Sequence, residues 1–599
     1  MPYDNAADPF LSTPQRFFAT AALSPNSPAY FIRGETNWEP SSWAKFADEV
    51  RRAARGLIAL GVQPGDRVSI LGYNRPEWVI ADLAAMSVGA IPVGIYFSSA
   101  PSEIAFVLSD SQSVVLFAEN PAQHAKLAGQ GNRLGALKHV VMMCGDAPHD
   151  TIGWSDFLQA GATALDAQVE ARIAAIKPSH AGTWLYTSGT TGNPKAVELS
   201  HAALSHCLAI MRHAVPYDRS DRLLSYLPLA HIAEKMLSVH VLAAYGPQIY
   251  FARSVPELAQ HLPEVRPTVF FGVPRVWEKL SGAIRAKLGA ATGAKAQIAA
   301  WAQHIGIAWH AANRAGTPPG ALLTFQYRLA HRLVFAPAKA AIGLDQARIL
   351  MSGAAPIAPE ILEFLSGLDL VVLELYGQSE TCGPTTSNLP GANKLGSVGR
   401  PMHGTELKIA PDGEILVHDA KLFTGYAGRP DATAETLING WLHSGDLGHL
   451  DDDGYLYITG RKKDLIITAG GKNISPAPIE SAAEAIPLIE HLVIYGDRKP
   501  YLTAIITLNP DALATFLTTH NLPPGTPHTH PAIQTELQHH IDTLNAENAR
   551  VAAIRKFTTL PTRFTVESGE LTPTLKIKRA TITARHQATF NSMYESQTA

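Results

Sequence analysis

The chain is short of several things, and each shortage removes a class of protein. Among 599 residues there are three cysteines. Cys144, Cys207 and Cys382 lie far apart and are odd in number, so they read as reduced thiols, with no disulfide framework and no zinc spacing. Charged residues make up only 17% of the chain against 46% hydrophobic, which excludes global disorder and suits well-packed cores. Basic surplus is missing too: 49 Lys and Arg against 52 Asp and Glu give a formal charge of −3, and no nucleic-acid partner is expected. Nor is there a clean long apolar run. The nearest, VIADLAAMSVGAIPVGIYF from Val79 to Phe97, is broken by Asp82, Gly89 and Pro92 and reads as helix, turn and buried strand. The opening MPYDNAADPFLSTPQRFF has no basic start followed by an apolar stretch, so it does not read as a secretory signal.

What is present is an alternation. From Trp43 the apolar positions Phe46, Val50, Ala53, Leu57 and Leu60 keep helical spacing, with Ser42 placed to cap and Gly61 just beyond. RVSILG is then a strand, Pro76 to Val88 a helix, IPVGIY a strand, Ser102 to Leu108 a helix and SVVLFAE a strand. That order predicts an α/β fold whose parallel sheets are covered by helices, in a chain long enough for two or more domains. From about 278 to 347 the pattern becomes alanine-rich, basic and helical, a surface insertion. Strands return after Arg348, and HLDDDGYLYITG reads as a hairpin turned at Asp453 and Gly454; its aspartates lack the spacing of a calcium loop. GRKKDLI is a charged break, and a smaller unit runs from about residue 464. Its His528 and His530 read as a solvated loop, since no cysteine or carboxylate completes a metal site.

The informative stretch is LYTSGTTGNPKAVELSH, residues 185–201. A glycine loop leaving a strand can turn backbone N–H groups inward around an anion, while hydroxyls and one lysine add donors and charge. That is what polyphosphate needs. The spacing is not that of GxxxxGK[ST], because Asn193 and Pro194 separate Gly192 from Lys195, and GxGxxG is missing from the loop as well. YTSGTTGNPK resembles the phosphate loop of the adenylate-forming acyl-CoA synthetases. The family's further motifs follow in order: YLPLAHIAEK, GVPRVWEK, SGAAP, YGQSET, GEILVHDAKLFTGY, WLHSGDLG, GYLYITGRKKDLIITAGGKNISPAPIE and LTPTLKIKR. Within the superfamily, the helical segment before SGAAP, YGQSE and ITAGGKNISPAPIE resemble the long-chain fatty acyl-CoA synthetases.

The resemblance implies two reactions. A carboxylate attacks the α-phosphorus of ATP, giving acyl-adenylate and pyrophosphate; the thiol of coenzyme A then attacks the acyl carbon and AMP leaves. It implies a large N-terminal domain (1–460), a hinge (461–463, centred near Lys463) and a smaller mobile α+β C-terminal domain (464–599). Thr187, Ser188, Gly189, Thr190, Thr191, Gly192 and Lys195 would surround the phosphates, with Thr187 and Glu380 toward Mg2+. Tyr376 would pack on adenine opposite Gly353, Ala354 and Ala355. Gly377 and Gln378 share that nucleotide turn, and Ser379 and Thr381 would lie near the α-phosphate. Asp446 and Arg461 would meet the ribose, His231 would align the carboxylate, and Lys576 would reach the α-phosphate from the small domain. Gly470, Gly471 and Lys472 would pass the pantetheine arm of coenzyme A. Without the resemblance, Glu380 also reads as a helix cap, Asp446 as a turn residue, His231 as a structural histidine and the run around Lys576 as a solvated basic face.

Three positions depart from the family pattern: Ala196 follows Lys195 where glycine is common, Lys235 stands where some bacterial members have a gating tryptophan, and Leu375 precedes Tyr376 in place of glycine. An acyl-AMP ligase loading a carrier protein, or a non-catalytic acyl- or adenylate-binding regulator, would share most of these residues. The tunnel is expected from segments such as LSVHVLAAYG and VFFGVP, with chain length and oligomeric state unread. The expected location is cytoplasmic, with attachment to the inner face of a membrane left open.

Overall fold

The computed structural model describes residues 10–187, 193–566, 568–572 and 576–595. The first predicted helix spans Trp43–Ala59; Ser42 Oγ accepts the Lys45 N–H at 3.2 Å, and Gly61 follows with φ +82°. Proline opens many of the others, among them Pro76–Ser87, Pro101–Ser111, Pro274–Gly289 and Pro359–Ser366. At the first helical position its missing N–H would have no partner anyway.

The first sheet sets Ile91–Ile95, Arg67–Leu71, Ser113–Ala118 and His139–Met142 side by side in parallel. Ala181–Thr187 joins it parallel to Ile91–Ile95, and Lys195–Ser200 pairs back antiparallel, with Thr187 opposite Lys195. A second sheet runs Val269–Gly272, Ile349–Ser352 and Val372–Gln378 in parallel, then Gly383–Ser387 antiparallel. A third pairs Pro28–Arg33, Gln248–Phe251 and Arg222–Ser225 in parallel.

Not all of the large unit is parallel. Glu406–Ile409, Glu414–His418, Trp441–Leu450 and Leu456–Arg461 form an antiparallel sheet; the turns 410–413 and 451–455 are short enough to join only antiparallel neighbours, while a longer connection links the middle pair. The hairpin turn holds Gly454 at φ +78°, and Lys394 Nζ lies 2.6 Å from both Asp451 and Asp453. Asp451 Oδ1 also accepts the Asp453 and Tyr455 N–H groups, so this carboxylate shapes the turn, while Lys394 neutralises it and Asp453.

The predicted insertion is helical: Pro274–Gly289, Gly293–Arg314, Ala321–Ala330 and, after a π-turn at His331–Phe335, Ala336–Ala341. One apolar cluster runs through the sheets from Phe17 to Leu456. The C-terminal part has cores of its own on either face of the sheet Ile489–Tyr495, Leu502–Leu508, Ile554–Thr559. There His530 Nδ1 accepts the Ala532 N–H and caps Pro531–Glu547. No helix among the described residues is long and apolar enough to cross a membrane.

Candidate active site

An apolar cavity follows the second sheet. Ile349 and Met351 line it from one strand, Leu373, Leu375 and Gly377 from the next. These are alternate residues, hence one face of the sheet. The register sets Met351 opposite Leu373. Met211, Val215, Tyr217, Met236, Leu237 and Phe271 add walls, and the space between them, open mouth included, is ≈ 850 Å³. Its two ends differ. At the Gly377 end stand His231 and Ala354. At the Ile349 end stands Tyr217, whose neighbour Pro216 accepts from Arg348 Nη2 at 3.0 Å. Arg348 is itself held by Asp221 at 2.6 Å. Burial and the charge of Asp221 push the Tyr217 hydroxyl up, so it is neutral. Of the segments expected to line a tunnel, LSVHV contributes Leu237 and VFFGVP contributes Phe271; most of the wall comes from elsewhere.

Glycine and alanine at the mouth are there for backbone reasons. A Cβ on Gly377 would meet the Gly383 carbonyl oxygen at 1.9 Å, so the chains could not pair. Ala354 sits at φ +74°, a left-handed turn rare for a residue with a side chain and a signature of sites that hold strain. Leu375, the departure before Tyr376, packs against Gly353 and lines the cavity.

Beyond the mouth the lining becomes polar. Asp446, only 4% exposed, accepts from the Tyr376 hydroxyl at 2.8 Å and Gln378 Nε2 at 2.5 Å through one oxygen, and from Arg461 Nε at 2.6 Å through the other. Burial and that carboxylate hold the Tyr376 hydroxyl well above its usual range. Glu380 Oε1 accepts from the Tyr426 hydroxyl at 2.8 Å, and Lys195 Nζ lies 4.9 Å from the Tyr426 ring centre. Tyr426 therefore joins Glu380 to the strand that ends the glycine loop. It stands inside the quoted GEILVHDAKLFTGY without having been singled out; an aromatic in an otherwise small-residue turn was the available signal.

His231 caps the short helix Ile232–Lys235, its Nδ1 accepting the Ala233 N–H at 3.3 Å. Burial and the positive Lys576 lower its pKa to about 3, so it is neutral, and with Nδ1 accepting, Nε2 carries the proton. Glu234, also unforeseen, is buried and accepts from Leu227 N at 3.3 Å and Ser238 Oγ at 2.5 Å, fixing the turn that presents His231. Its carboxyl is raised to about 7 by burial. Lys235 takes no part in the cavity wall. It is fully buried, 2.5 Å from Asp82 Oδ1 and 2.8 Å from Thr183 Oγ1. Burial presses both charges toward neutrality, lowering the lysine and raising the aspartate, while their contact opposes it. A π-turn, Met236–Val241, follows at once and carries Met236 and Leu237 into the cavity.

Lys576 arrives from the C-terminal part. Its side chain is exposed on one side, with protein crowding the ammonium on the other. That crowding and the positive Arg461 bring its ammonium down to about 8, with Asp446 pulling the other way. Lys576 thus shares a field with Arg461, Asp446 and His231, three residues from three separate segments. The approach is held by ion pairs across the two parts: Lys578 to Glu103 at 3.4 Å, and Arg275 to Glu490 at 3.0 Å, with Arg563 on the same carboxylate.

Several predicted residues stand apart. Ser188, Gly189, Thr190, Thr191 and Gly192 lie outside the described residues. Thr381 is a correction: it is 1% exposed and its hydroxyl is taken by Gln378 N and the Gly383 carbonyl, so it holds the turn and does not face the cleft. Gly470, Gly471 and Lys472 form an exposed turn between Ile466–Ile467 and Asn473–Ile474. Lys472 borders a separate groove with Asn548 and Val551. Lys463 sits in a 3-10 turn, Lys462–Asp464, whose Lys462 is paired to Asp412 and Glu414. Ala196 is buried and packs with Tyr186, so its methyl is accommodated.

Comparison with known proteins covers nearly the whole chain. A family profile described as AMP-binding enzyme matches residues 17–427, and one described as AMP-binding enzyme C-terminal domain matches 463–598. The long-chain-fatty-acid–CoA ligase FadD15 of Mycobacterium tuberculosis is 37% identical over 94% of this chain and 93% of its own. The long-chain-fatty-acid–CoA ligase ACSBG2 of Xenopus laevis is 35% identical over 93% and 80%. Among solved structures, the anthranilate CoA ligase AuaEII in complex with anthranoyl-AMP superposes with a TM-score of 0.75 at 18% identity, covering 98% of this chain and all of that one. A fatty acyl CoA synthetase of M. tuberculosis gives 0.62 at 22%, covering 96% and 99%.

Proposed function

We infer the reaction from one premise: the chain belongs to the AMP-binding enzyme family. It activates a long-chain fatty acid with ATP, releasing pyrophosphate, and transfers the acyl group from the adenylate to coenzyme A, releasing AMP. The observation that carries this is the shared mouth, where an apolar cavity and a polar cleft meet beside Lys576.

The cavity supports the long chain. From Ile349 to the level of Gly377 is six strand residues, two up to Met351 and four from its partner Leu373. At ~3.3 Å each that is about 20 Å. An alkyl chain with ~1.5 Å bonds and ~111° angles advances about 1.25 Å per carbon, so a wall of this length matches an extended chain of about 16 carbons. Tyr217 closes the far end.

Each polar residue answers a demand of the first step, in which two anions must meet. Asp446 presents a carboxylate to the two ribose hydroxyls, which can only donate to it. Neutral His231 offers Nε2–H to the substrate carboxylate without competing for a proton. Lys576 offsets charge where the carboxylate oxygen bonds to the α-phosphorus as the bond to pyrophosphate breaks. Glu380, engaged by Tyr426 through one oxygen, and Thr187 at the end of its strand would hold Mg2+ together with the phosphates; the ion, when bound, withdraws charge from the phosphate oxygens. For the second step the C-terminal part (464–599) turns about 461–463, carrying Lys576 out and Gly470, Gly471 and Lys472 in, so that the coenzyme A sulfur reaches the acyl carbon. A water-insoluble substrate also favours working at a membrane surface.

Pyrophosphate release measured over acids of increasing length, with and without coenzyme A, tests the reading. Release that depends on a long-chain acid, with coenzyme A consumed, is expected. Acyl-adenylate accumulating with coenzyme A untouched would make the chain a ligase for another acceptor.

A further inference from the structure

The helical insertion carries charge of one sign. Between Lys279 and Leu344 the sequence has eight lysines and arginines and no Asp or Glu, in a chain whose formal charge is −3. Its outer helix, Ala321–Ala330 continuing into His331–Phe335, is apolar on two faces. The inner face, with Leu323, Tyr327, Ala330 and Phe335, packs on Ala302 and Ile305 of Gly293–Arg314. The outer face carries Leu322, Phe325, Leu329 and Leu333, which are 71%, 66%, 40% and 52% exposed. Steps of three and four residues align them in one stripe. Arg328 and Arg332, both exposed, stand within it.

A surface helix ordinarily has one apolar face and turns it inward. Single exposed leucines are unremarkable; a continuous stripe of four marks a docking surface. We propose that this face docks on the surface of an anionic lipid bilayer, with the stripe among the upper acyl chains and Arg328 and Arg332 on headgroup phosphates. An interfacial helix combines these same elements, an apolar face and basic flanks; the insertion has no carboxylate of its own to repel anionic lipid, and the nearby Asp369 is held by Tyr327 and Lys339. A second copy of the chain fits less well. Self-pairing across a twofold axis would set this basic face against itself with no acidic partner on the insertion to receive the arginines. The docking surface is independent of which acid the cleft activates.

Co-sedimentation of the full chain with vesicles of phosphatidylcholine plus phosphatidylglycerol, and of phosphatidylcholine alone, reads this directly. The wild type should partition onto the mixed vesicles and far less onto phosphatidylcholine. The double variant Leu322→Glu/Phe325→Glu should lower that partition roughly tenfold or more, since it removes two apolar anchors and adds repulsion. Arg328→Glu/Arg332→Glu should reduce binding on the mixed vesicles to the level on phosphatidylcholine. Both variants alter exposed positions and should melt at the wild-type temperature and adenylate acid in vesicle-free buffer at the wild-type rate. Failure of the wild type to bind mixed vesicles overturns the proposal, as does equal binding by Leu322→Glu/Phe325→Glu. A dimer dispersed by that variant, without vesicle binding, assigns the face to a second copy and overturns it too.

Discussion

The polar cleft and the apolar cavity share a mouth but are written in different ways. The cleft is made of residue types that do little else in a fold: a buried aspartate with three donors on it, a lysine brought in from another part of the chain, a neutral histidine. The cavity is made of methionine, leucine, isoleucine and tyrosine, which also fill the main core. Polar chemistry needs a particular group at a particular place, whereas apolar walls need only volume. Changes in the cleft should therefore alter rate steeply, and changes in the cavity should alter preference gently.

The largest effect falls on Lys576. Lys576→Ala should slow pyrophosphate release by a hundred- to a thousandfold, about 3 to 4 kcal/mol, while thioester formation from supplied acyl-adenylate stays near wild type. Equal loss in both half-reactions would contradict a lysine that serves only the first. Next comes Asp446→Asn. A charge-assisted hydrogen bond is worth about 1.5 to 3 kcal/mol, so kcat/KM for ATP should fall roughly ten- to a hundredfold, with the acid dependence unchanged. An equal change in acid dependence would mean that cleft and cavity are not separable.

The pH profile comes third. The ammonium of Lys576 is brought down to about 8, so it is charged below that pH and neutral above it. In the free enzyme kcat/KM should hold below pH 8 and then fall about tenfold per unit. A plateau through about pH 9.5 would give the lysine its ordinary pKa and remove Arg461 from its field. The smallest effect belongs to the cavity floor. Tyr217→Ala should move the preferred acid to longer chains, by roughly tenfold in relative kcat/KM, since each methylene is worth only about 1 to 3 kcal/mol. If palmitate and the longer arachidate respond alike, Tyr217 is not the floor.

The same contrast explains what the sequence disclosed. Strand and helix order from Trp43 to Ala118 was legible because buried strands and capped helices leave local signals, Ser42 and Gly61 among them. Asp446, Arg461, His231 and Lys576 were legible as candidates because motif order carried them. Apart from the hairpin pair Asp446 and Arg461, their convergence was not, since it depends on contacts between segments over a hundred residues apart. Thr381 misled because a hydroxyl beside a glutamate looks the same in sequence whether it faces a ligand or pins its own turn. Lys235 raised a question that burial answers: it pairs with Asp82, 153 positions away. The cavity itself was hardly visible. Its best walls are alternate residues of two strands, and period-two alternation of this kind also describes an ordinary core.

One measurement bears on the whole account: a crystal structure with a long-chain acyl-sulfamoyl adenosine, a stable mimic of the acyl-adenylate. Its base should lie against Tyr376, its ribose on Asp446, and its alkyl tail along Ile349, Met351 and Leu373 toward Tyr217. A tail leaving the cleft by any other route, with the cavity between Leu375 and Tyr217 left empty, would contradict the claim that cleft and cavity serve one substrate.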